Sequence, residues 1–489
     1  MAVMTMKMTK NTPRKWIASA IVIFMMFIAP KFAPYGGSLT DLGSDVLCIY
    51  IGMAIGWLAV DLAWPSVLGI VALGMTSYSS MNNAIMSCFG NNSAILALFV
   101  YVITGVVDKA GVSRWIAMNI AGWKIGYRRP WVLTSCILLS IMTLTLFIGV
   151  TPGSLIVWAI FYGICEVYGV KPGDHWATMV MVAIPFFGSV TASIFPFKSL
   201  PIVALGAYSA ISGGQTIDFP PYFAWMVIVN ACIFVLALLA MRFVIRPDVS
   251  MLKNAELAFE KEDLKLNTYQ KIVLAWFGLF VLAMMVPTLL PKAWAFTAFF
   301  KTLGNTGIAI VFVAAFFLIN FTQNQSMREV VSKSVRFDAF FVNCAAIGIA
   351  AALSSDSTGI SQWFVDISAP ITEGKSPLVI TMILVASGLI MTQFLNNLGA
   401  CAIFVPVAFS IATASGVNPQ MVCMCLICAF NFGILTPSAC NPAALLYSNG
   451  VWVKGLRPHA YAAVYMLCAF LILMLIGVPI SGFFFPATI

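Results

Sequence analysis

Lys198 is the only charged residue between Trp176 and Ile217, and the stretch FPFKSLP sets it between two prolines, Pro196 and Pro201. A lysine at the centre of a bilayer costs at least ~2.5–3.5 kcal/mol unless it is paired or hydrated. Three other apolar stretches are interrupted in a related way. GVTPGS (149–154) and LNNLGA (395–400) each divide a long apolar run in two, and TPSACNPA (436–443) breaks a third, as GSVTASIFPFKS (188–199) breaks the run holding Lys198. Gly and Pro release backbone groups from helical pairing, and those groups must find partners. A helix that restarts inside the membrane presents N–H donors and partial positive charge. Ser, Thr and Asn add small polar groups at the same depth. This chemistry suits a small anion held by helix ends, with a cation held by freed carbonyls. The candidate anion ligands are Thr151, Pro152, Gly153, Ser154, Lys198, Ser199, Asn396, Asn397, Gly399, Ser438 and Asn441. The candidate ion ligands are Gly149, Gly188, Ser189, Thr191, Asn396, Thr436 and Pro437. A single interruption of this kind is ordinarily a kink, with Ser or Thr bonding back to its own helix. Four at matched places argue for a site.

The elements that position these residues follow from composition. The chain has 489 residues, of which 61% are hydrophobic and 9% charged, against about 25% charged in an average soluble domain. Apolar runs of ~18 residues or more recur along it, each able to cross a bilayer as a helix. A barrel would instead alternate over ten-residue segments. The expected fold is therefore all-α and polytopic. Its longest polar stretch, 246–270, is too short for a soluble domain. Spans are expected near 16–34, 46–60, 62–77, 93–107, 177–213 (broken), 222–245, 272–290, 306–321, 338–354, 421–448 (broken) and 459–483, with apolar hairpins at 132–168 and 378–414. The basic N-terminus precedes the first span without a small-residue cleavage site, so it reads as an uncleaved span.

With the N-terminus in the cytoplasm, the 26 lysines and arginines divide into 21 inside and 4 outside, Lys198 being the remaining one. That split follows the positive-inside rule. It also accounts for the net charge of +9 without a nucleic-acid partner. Both ends of the first hairpin then lie inside, and its uncharged tip reads as re-entrant, turning within protein. The twelve cysteines fall mostly in apolar runs, and Cys423, Cys425 and Cys428 lack the paired spacing of a metal site. His175 and His459 occupy different loops. No Ser-His-Asp, HExxH or paired-carboxylate pattern stands at membrane depth, so an enzyme is not expected.

The two hairpins align at an offset of 247: Ser140 meets Ser387, Thr145 meets Thr392, Phe147 meets Phe394 and Ile156 meets Ile403. GVKP (169–172) meets GVNP (416–419), and after a small gap Phe187-Gly188 meets Phe432-Gly433. By topology the first hairpin enters from the cytoplasm and the second from outside. Inverted repeats with broken helices belong to secondary transporters. The chain divides into a tail and first span (1–45), repeat one (46–245), a cytoplasmic linker (246–271) and repeat two (272–489), together one integral membrane domain.

DVLCIYIGMAIGWLAVDLAWPSVLGIVALG and FGNNSAILALFVYVITGVVDKAGVSRWIA (89–117) resemble the early spans, the fourth span and the interfacial helix of the divalent anion:sodium symporter family. The resemblance covers nearly the whole chain in order. The Ser-Asn-Thr motif of that family's hairpin tips is degraded here to Gly149-Val150-Thr151 and Asn396-Asn397-Leu398. Its broken-span motif, Gly-Thr-Pro-Pro-Asn, leaves Asn441 in SACN and Pro196 in FPFK, with Lys198 at the asparagine position. The resemblance implies a homodimer working as an elevator, with di- or tricarboxylate and sodium bound at the four interruptions and no other cofactor. It implies a multi-pass protein of the plasma membrane. It also sets Lys198 where a first sodium ion would sit, with exchange, uniport, proton coupling or one remaining sodium site as consequences. The alternative for Lys198 is snorkelling into an aqueous vestibule. Competing functions are a cation/proton antiporter, which would want an acidic residue at the interruptions, and an anion channel.

Overall fold

A computed structural model describes residues 13–32, 37–112, 128–253, 265–291, 294–323 and 326–485, with residues 115, 116, 119 and 126 besides. The basic tail before residue 13, much of the interfacial helix expected after 107, and the middle of the 246–271 linker lie outside the described residues.

Among the described residues every regular element is helical. The first five are α1 (Pro13–Phe27), α2 (Asp41–Ala59), α3 (Ala63–Gly74), α4 (Met81–Phe89) and α5 (Asn92–Lys109). The first hairpin is α6 (Pro130–Phe147) and α7 (Val150–Val167), and the first broken span is α8 (His175–Ala192) and α9 (Ser199–Ile211). Then come α10 (Phe219–Ala240), α11 (Thr268–Leu289), α12 (Ala295–Thr322), α13 (Met327–Ser334), α14 (Phe337–Leu353) and α15 (Ile360–Thr372). The second hairpin is α16 (Pro377–Thr392) and α17 (Asn397–Ala414), and the second broken span is α18 (Pro419–Phe430) and α19 (Asn441–Ser448). The chain ends in α20 (Arg457–Ile472) and α21 (Val478–Phe484), joined by a π-turn. Ten of these helices or continuous segments are long and apolar enough to cross a membrane, or eleven if the pair α15–α16, bent by 109°, counts as one span. The expected fold class is thus borne out: an all-helical, multi-pass membrane protein.

The hairpins fall at their expected places, but both breaks shift. The first covers 193–198 rather than 188–199, because Gly188 to Ala192 remain helical. There Thr191 Oγ1 donates back to Phe187 O at 2.7 Å, so the turn carries its own polar group. The second begins at Asn431, earlier than 436. The helix α15 lies outside the expected spans. It is amphipathic and short, so its hydropathy does not stand out.

The repeat is visible in geometry. Gly169 and Gly416 close the two hairpins in the left-handed region, at φ 66° and 67°. In each, the next residue bonds back five positions at 2.8 Å, Val170 N to Cys165 O and Val417 N to Ala412 O. These are matched Schellman turns. The first broken-span helix packs on both hairpin helices in each repeat, α8 on α6 and α7, α18 on α16 and α17. The second halves cross over: α9 packs on α17, and α19 packs on α7. The two repeats are thus interlocked.

Candidate functional site

The first tip forms because α6 ends at Phe147 and the chain extends through Ile148 before Gly149 opens α7. Pro152 in the first turn of α7 brings no N–H. The second tip ends α16 at Thr392 and opens α17 at Asn396, whose side chain accepts from Leu398 N at 3.1 Å. The first break places Lys198 as the residue before α9. Phe195 and Phe197 stack at 5.0 Å beside Phe219 and Phe223 and hold this loop against α10. The second break ends at Cys440, whose thiol donates to Gly433 O at 3.1 Å, and Asn441 opens α19.

These four elements meet around one cavity of about 670 Å³. The N-termini of α7, α9, α17 and α19 all reach it. Those of α7, α9 and α19 carry no side-chain cap, so their first N–H groups are left for a ligand. The Lys198 ammonium lies among them and donates to Ile148 O at 3.3 Å. Among the described residues no ion pair reaches Lys198. Three uncapped helix starts and one ammonium make this an anion-attracting centre.

Four hydrogen bonds fix the geometry between elements. Asn431 Nδ2 donates to Ser193 Oγ at 2.7 Å, joining the residues that follow α8 and α18. Asn397 N donates to Ala439 O at 3.2 Å, joining the second tip to its break. Thr436 Oγ1 donates to Gln393 O, and Leu435 N to Gln393 Oε1 at 3.3 Å, tightening the same joint.

Of the expected residues, Gly149, Thr151, Pro152, Ser189, Lys198, Ser199, Asn396, Asn397 and Asn441 line the cavity. The others do not. Gly153 packs against Ile141 and Thr145, and Gly188 against Ile141 and Val150. Ser154 is fully buried, and its hydroxyl has no hydrogen-bond partner among the described residues. Thr191 is turned to Thr145 Oγ1, at 2.8 Å. Gly399 lies against Trp57. Thr436 meets Ser438 at 2.9 Å, and Pro437 and Ser438 are exposed on their loop.

Sequence reasoning missed the side walls. Asp108 and Lys109 of α5, Glu329 of α13, and Arg336 and Asp338 at the start of α14 line the same cavity. Lys109 pairs with Glu329 at 3.0 Å and Arg336 with Asp338 at 2.8 Å. No local signal marks them, since they sit at the charged ends of ordinary helices. Asn431 was missed too; it stands just outside the interruption as Gly and Pro define it. His459 stacks on Tyr447 at 4.3 Å and reaches Leu435 O at 2.9 Å, steadying the second break from behind.

A cation finds oxygens in the second repeat. A Cβ built on Gly433 would lie 2.8 Å from Asn397 Oδ1, 3.0 Å from Thr392 O and 3.2 Å from Thr392 Oγ1. Three oxygens thus converge on a hollow that glycine alone leaves open. Thr392 Oγ1 has Asn397 Oδ1 at 2.9 Å and Phe430 O at 3.2 Å as acceptors for its one proton, and its lone pairs are left for a cation. Such an all-oxygen set suits a hard ion. Among the described residues no group of three or more His, Cys, Asp and Glu could hold a metal, and all twelve cysteines are free thiols.

Comparison with known proteins adds the lineage. A family model described as citrate transporter matches residues 46–427. SdcS of Staphylococcus saprophyticus, a sodium-dependent dicarboxylate transporter, is 22% identical over 449 residues, covering 87% of this chain and 84% of its own length. SdcS of Staphylococcus aureus is 21% identical over 454 residues, covering 88% and 83%. Among solved structures, the YdaH transporter of Alcanivorax borkumensis matches with a TM-score of 0.59 at 14% identity, over 90% of this chain and 99% of its own. MtrF of Neisseria gonorrhoeae, from a class of antimetabolite efflux pumps, matches with a TM-score of 0.54 at 10% identity, over 94% and 97%. At these identities the structural likeness concerns the fold.

Proposed function

The chain belongs to the citrate transporter family, and from that premise we propose that it is a secondary transporter of small organic anions of the di- or tricarboxylate class. The observation that carries this reading is the convergence of three uncapped helix N-termini and the Lys198 ammonium on one cavity. That arrangement complements carboxylate groups on more than one side. Its relatives named sodium-dependent dicarboxylate transporters support both the substrate class and sodium as coupling ion. The oxygen hollow beside Gly433 supports a sodium site in repeat two.

Both hairpin tips share the cavity with the mid-span breaks. This supports re-entrant hairpins that turn at the depth of the breaks, one from each face. In this reading the interlocked α6–α9 and α16–α19 form the moving part of an elevator, carried by the remaining helices in a homodimer. The 21-to-4 division of basic residues supports a cytoplasmic N-terminus in a bacterial-type plasma membrane.

The test is uptake of labelled succinate and citrate into liposomes holding the purified protein. It is run with and without a sodium gradient, and with and without unlabelled anion inside. Saturable uptake of one of these acids, driven by sodium or accelerated by preloading, is expected. Absence of uptake for both acids under every condition would overturn the carboxylate reading.

A further inference from the structure

Resting on that anion-transport reading, we propose that the two repeats carry their positive charge by different means: repeat one by the tethered ammonium of Lys198, repeat two by a single exchangeable sodium ion beside Gly433.

The contrast is read at matched positions. Gly188 is the counterpart of Gly433, Thr145 of Thr392 and Val150 of Asn397. Where a Cβ on Gly433 would meet three oxygens, a Cβ on Gly188 would meet Ile141 Cγ1 at 3.1 Å, Val150 Cγ1 at 3.1 Å and Thr145 Cγ2 at 3.3 Å. The matched threonines are turned opposite ways. Thr392 offers its hydroxyl to the glycine, and Thr145 offers its methyl. Both hydroxyls are hydrogen-bonded, Thr145 Oγ1 with Thr191 Oγ1 at 2.8 Å and the Ile141 and Met142 carbonyls at 3.1 Å, and Thr392 Oγ1 with Asn397 Oδ1 at 2.9 Å and Phe430 O at 3.2 Å, so the difference lies in which group faces the glycine. Carbon atoms cannot replace a cation's hydration shell, so the hollow of repeat one does not fit sodium.

Positive charge is supplied there by another route. Lys198 Nζ reaches Ile148 O, the carbonyl that follows the last turn of α6. That is the negative end of the α6 dipole, where a cation is favoured. At the position corresponding to Lys198, repeat two has the neutral Asn441, which opens α19. The ammonium also lines the cavity, so it faces a bound anion as a sodium ion at the tip would. It differs from that ion in one respect. The side chain is tethered, so while protonated it carries its charge back across the membrane with the carrier. The empty carrier then moves an unneutralised charge, which slows its return. The anion-loaded carrier moves that charge neutralised. The geometry therefore favours exchange of anions, with no more than one sodium ion coupled to each.

Equilibrium binding on the purified full-length chain in detergent tests this, using radioactive sodium, citrate and succinate as probes. One sodium per chain is expected. Thr392→Val should weaken sodium binding at least tenfold, and Thr145→Val should leave the count at one. Lys198→Met should keep the count at one, which also reports that it is folded, while weakening binding of the preferred acid at least tenfold. A count of two or of none in the unaltered chain would overturn the proposal. So would loss of sodium in Thr145→Val, or acid binding by a sodium-competent Lys198→Met within twofold of the unaltered chain. These readouts need no transport. A chain that binds one sodium ion yet moves no anion would defeat the transport reading and leave the sodium count standing.

Discussion

Gly433 stands among three oxygens, and the smallest side chain would occupy the point on which they converge. In Gly433→Ala the new Cβ would lie 2.8 Å from Asn397 Oδ1 and 3.0 Å from Thr392 O, so at least one oxygen must move away. The expected outcome is a loss of sodium affinity of tenfold or more, about 1.4 kcal/mol. Sodium-dependent thermal stabilisation in detergent checks it. A sodium response equal to that of the unaltered chain would remove Gly433 from the cation site. The sequence marked Gly433 only as the partner of Gly188 in a repeat. Nothing local distinguishes the two glycines, because the atoms around them come from other helices.

At the scale of elements, the turns that close the hairpins are the most legible feature. GVKP and GVNP repeat at equal distance from the two tips, and both glycines adopt positive φ. An alanine there must enter the left-handed region, at a cost of about 1–2 kcal/mol. Gly169→Ala and Gly416→Ala are each expected to lower the melting temperature, with the asparagine variants less affected, as a thermal-shift series in detergent would measure. Equal melting of Gly416→Ala and the unaltered chain would mean that the turn is not held in this conformation. The breaks were less legible. Gly188, Ser189 and Thr191 carry the composition of an interruption, yet they stay helical because Thr191 finds its partners in Phe187 and Thr145. The actual break, 193–198, contains Pro196, whose ring denies the helix an N–H. Asn431 follows the last residue of α18, and its Nδ2 donates both back to Ile427 O of that helix and across to Ser193 Oγ, each at 2.7 Å, a link that no local pattern signals.

At the scale of the molecule, the cavity has a direction. Its walls include Asp108 and Lys109 at the end of α5, Glu329 on α13, and Arg336 and Asp338 at the start of α14. The proposed topology would put all five on the cytoplasmic side, and the cavity would then open inward. Thr151 lines the cavity, and among the native thiols Cys440 does as well. In a Cys440→Ser background, Thr151→Cys is expected to react with a membrane-impermeant maleimide at least tenfold faster in inside-out vesicles than in right-side-out ones. Bound citrate or succinate should slow that reaction. Faster labelling from the outer side would reverse either the topology or the state.

The sequence by itself determined the membrane class, the two hairpins and the interruptions, apart from the exact limits of the breaks. Each of these depends on signals carried locally: apolar runs, Gly and Pro that release the backbone, and a motif repeated at a fixed offset. It also singled out Lys198, since one charge in so apolar a run is conspicuous without any neighbours. Only the tertiary structure decided what these parts meet. It brings Lys198 to Ile148 O and joins Asn431 to Ser193. It sets oxygens nearest to one glycine's open side and carbons nearest to its counterpart's. Those outcomes depend on how helices far apart in the chain pack and which way a threonine turns, and matched residue types can turn opposite faces to matched hollows.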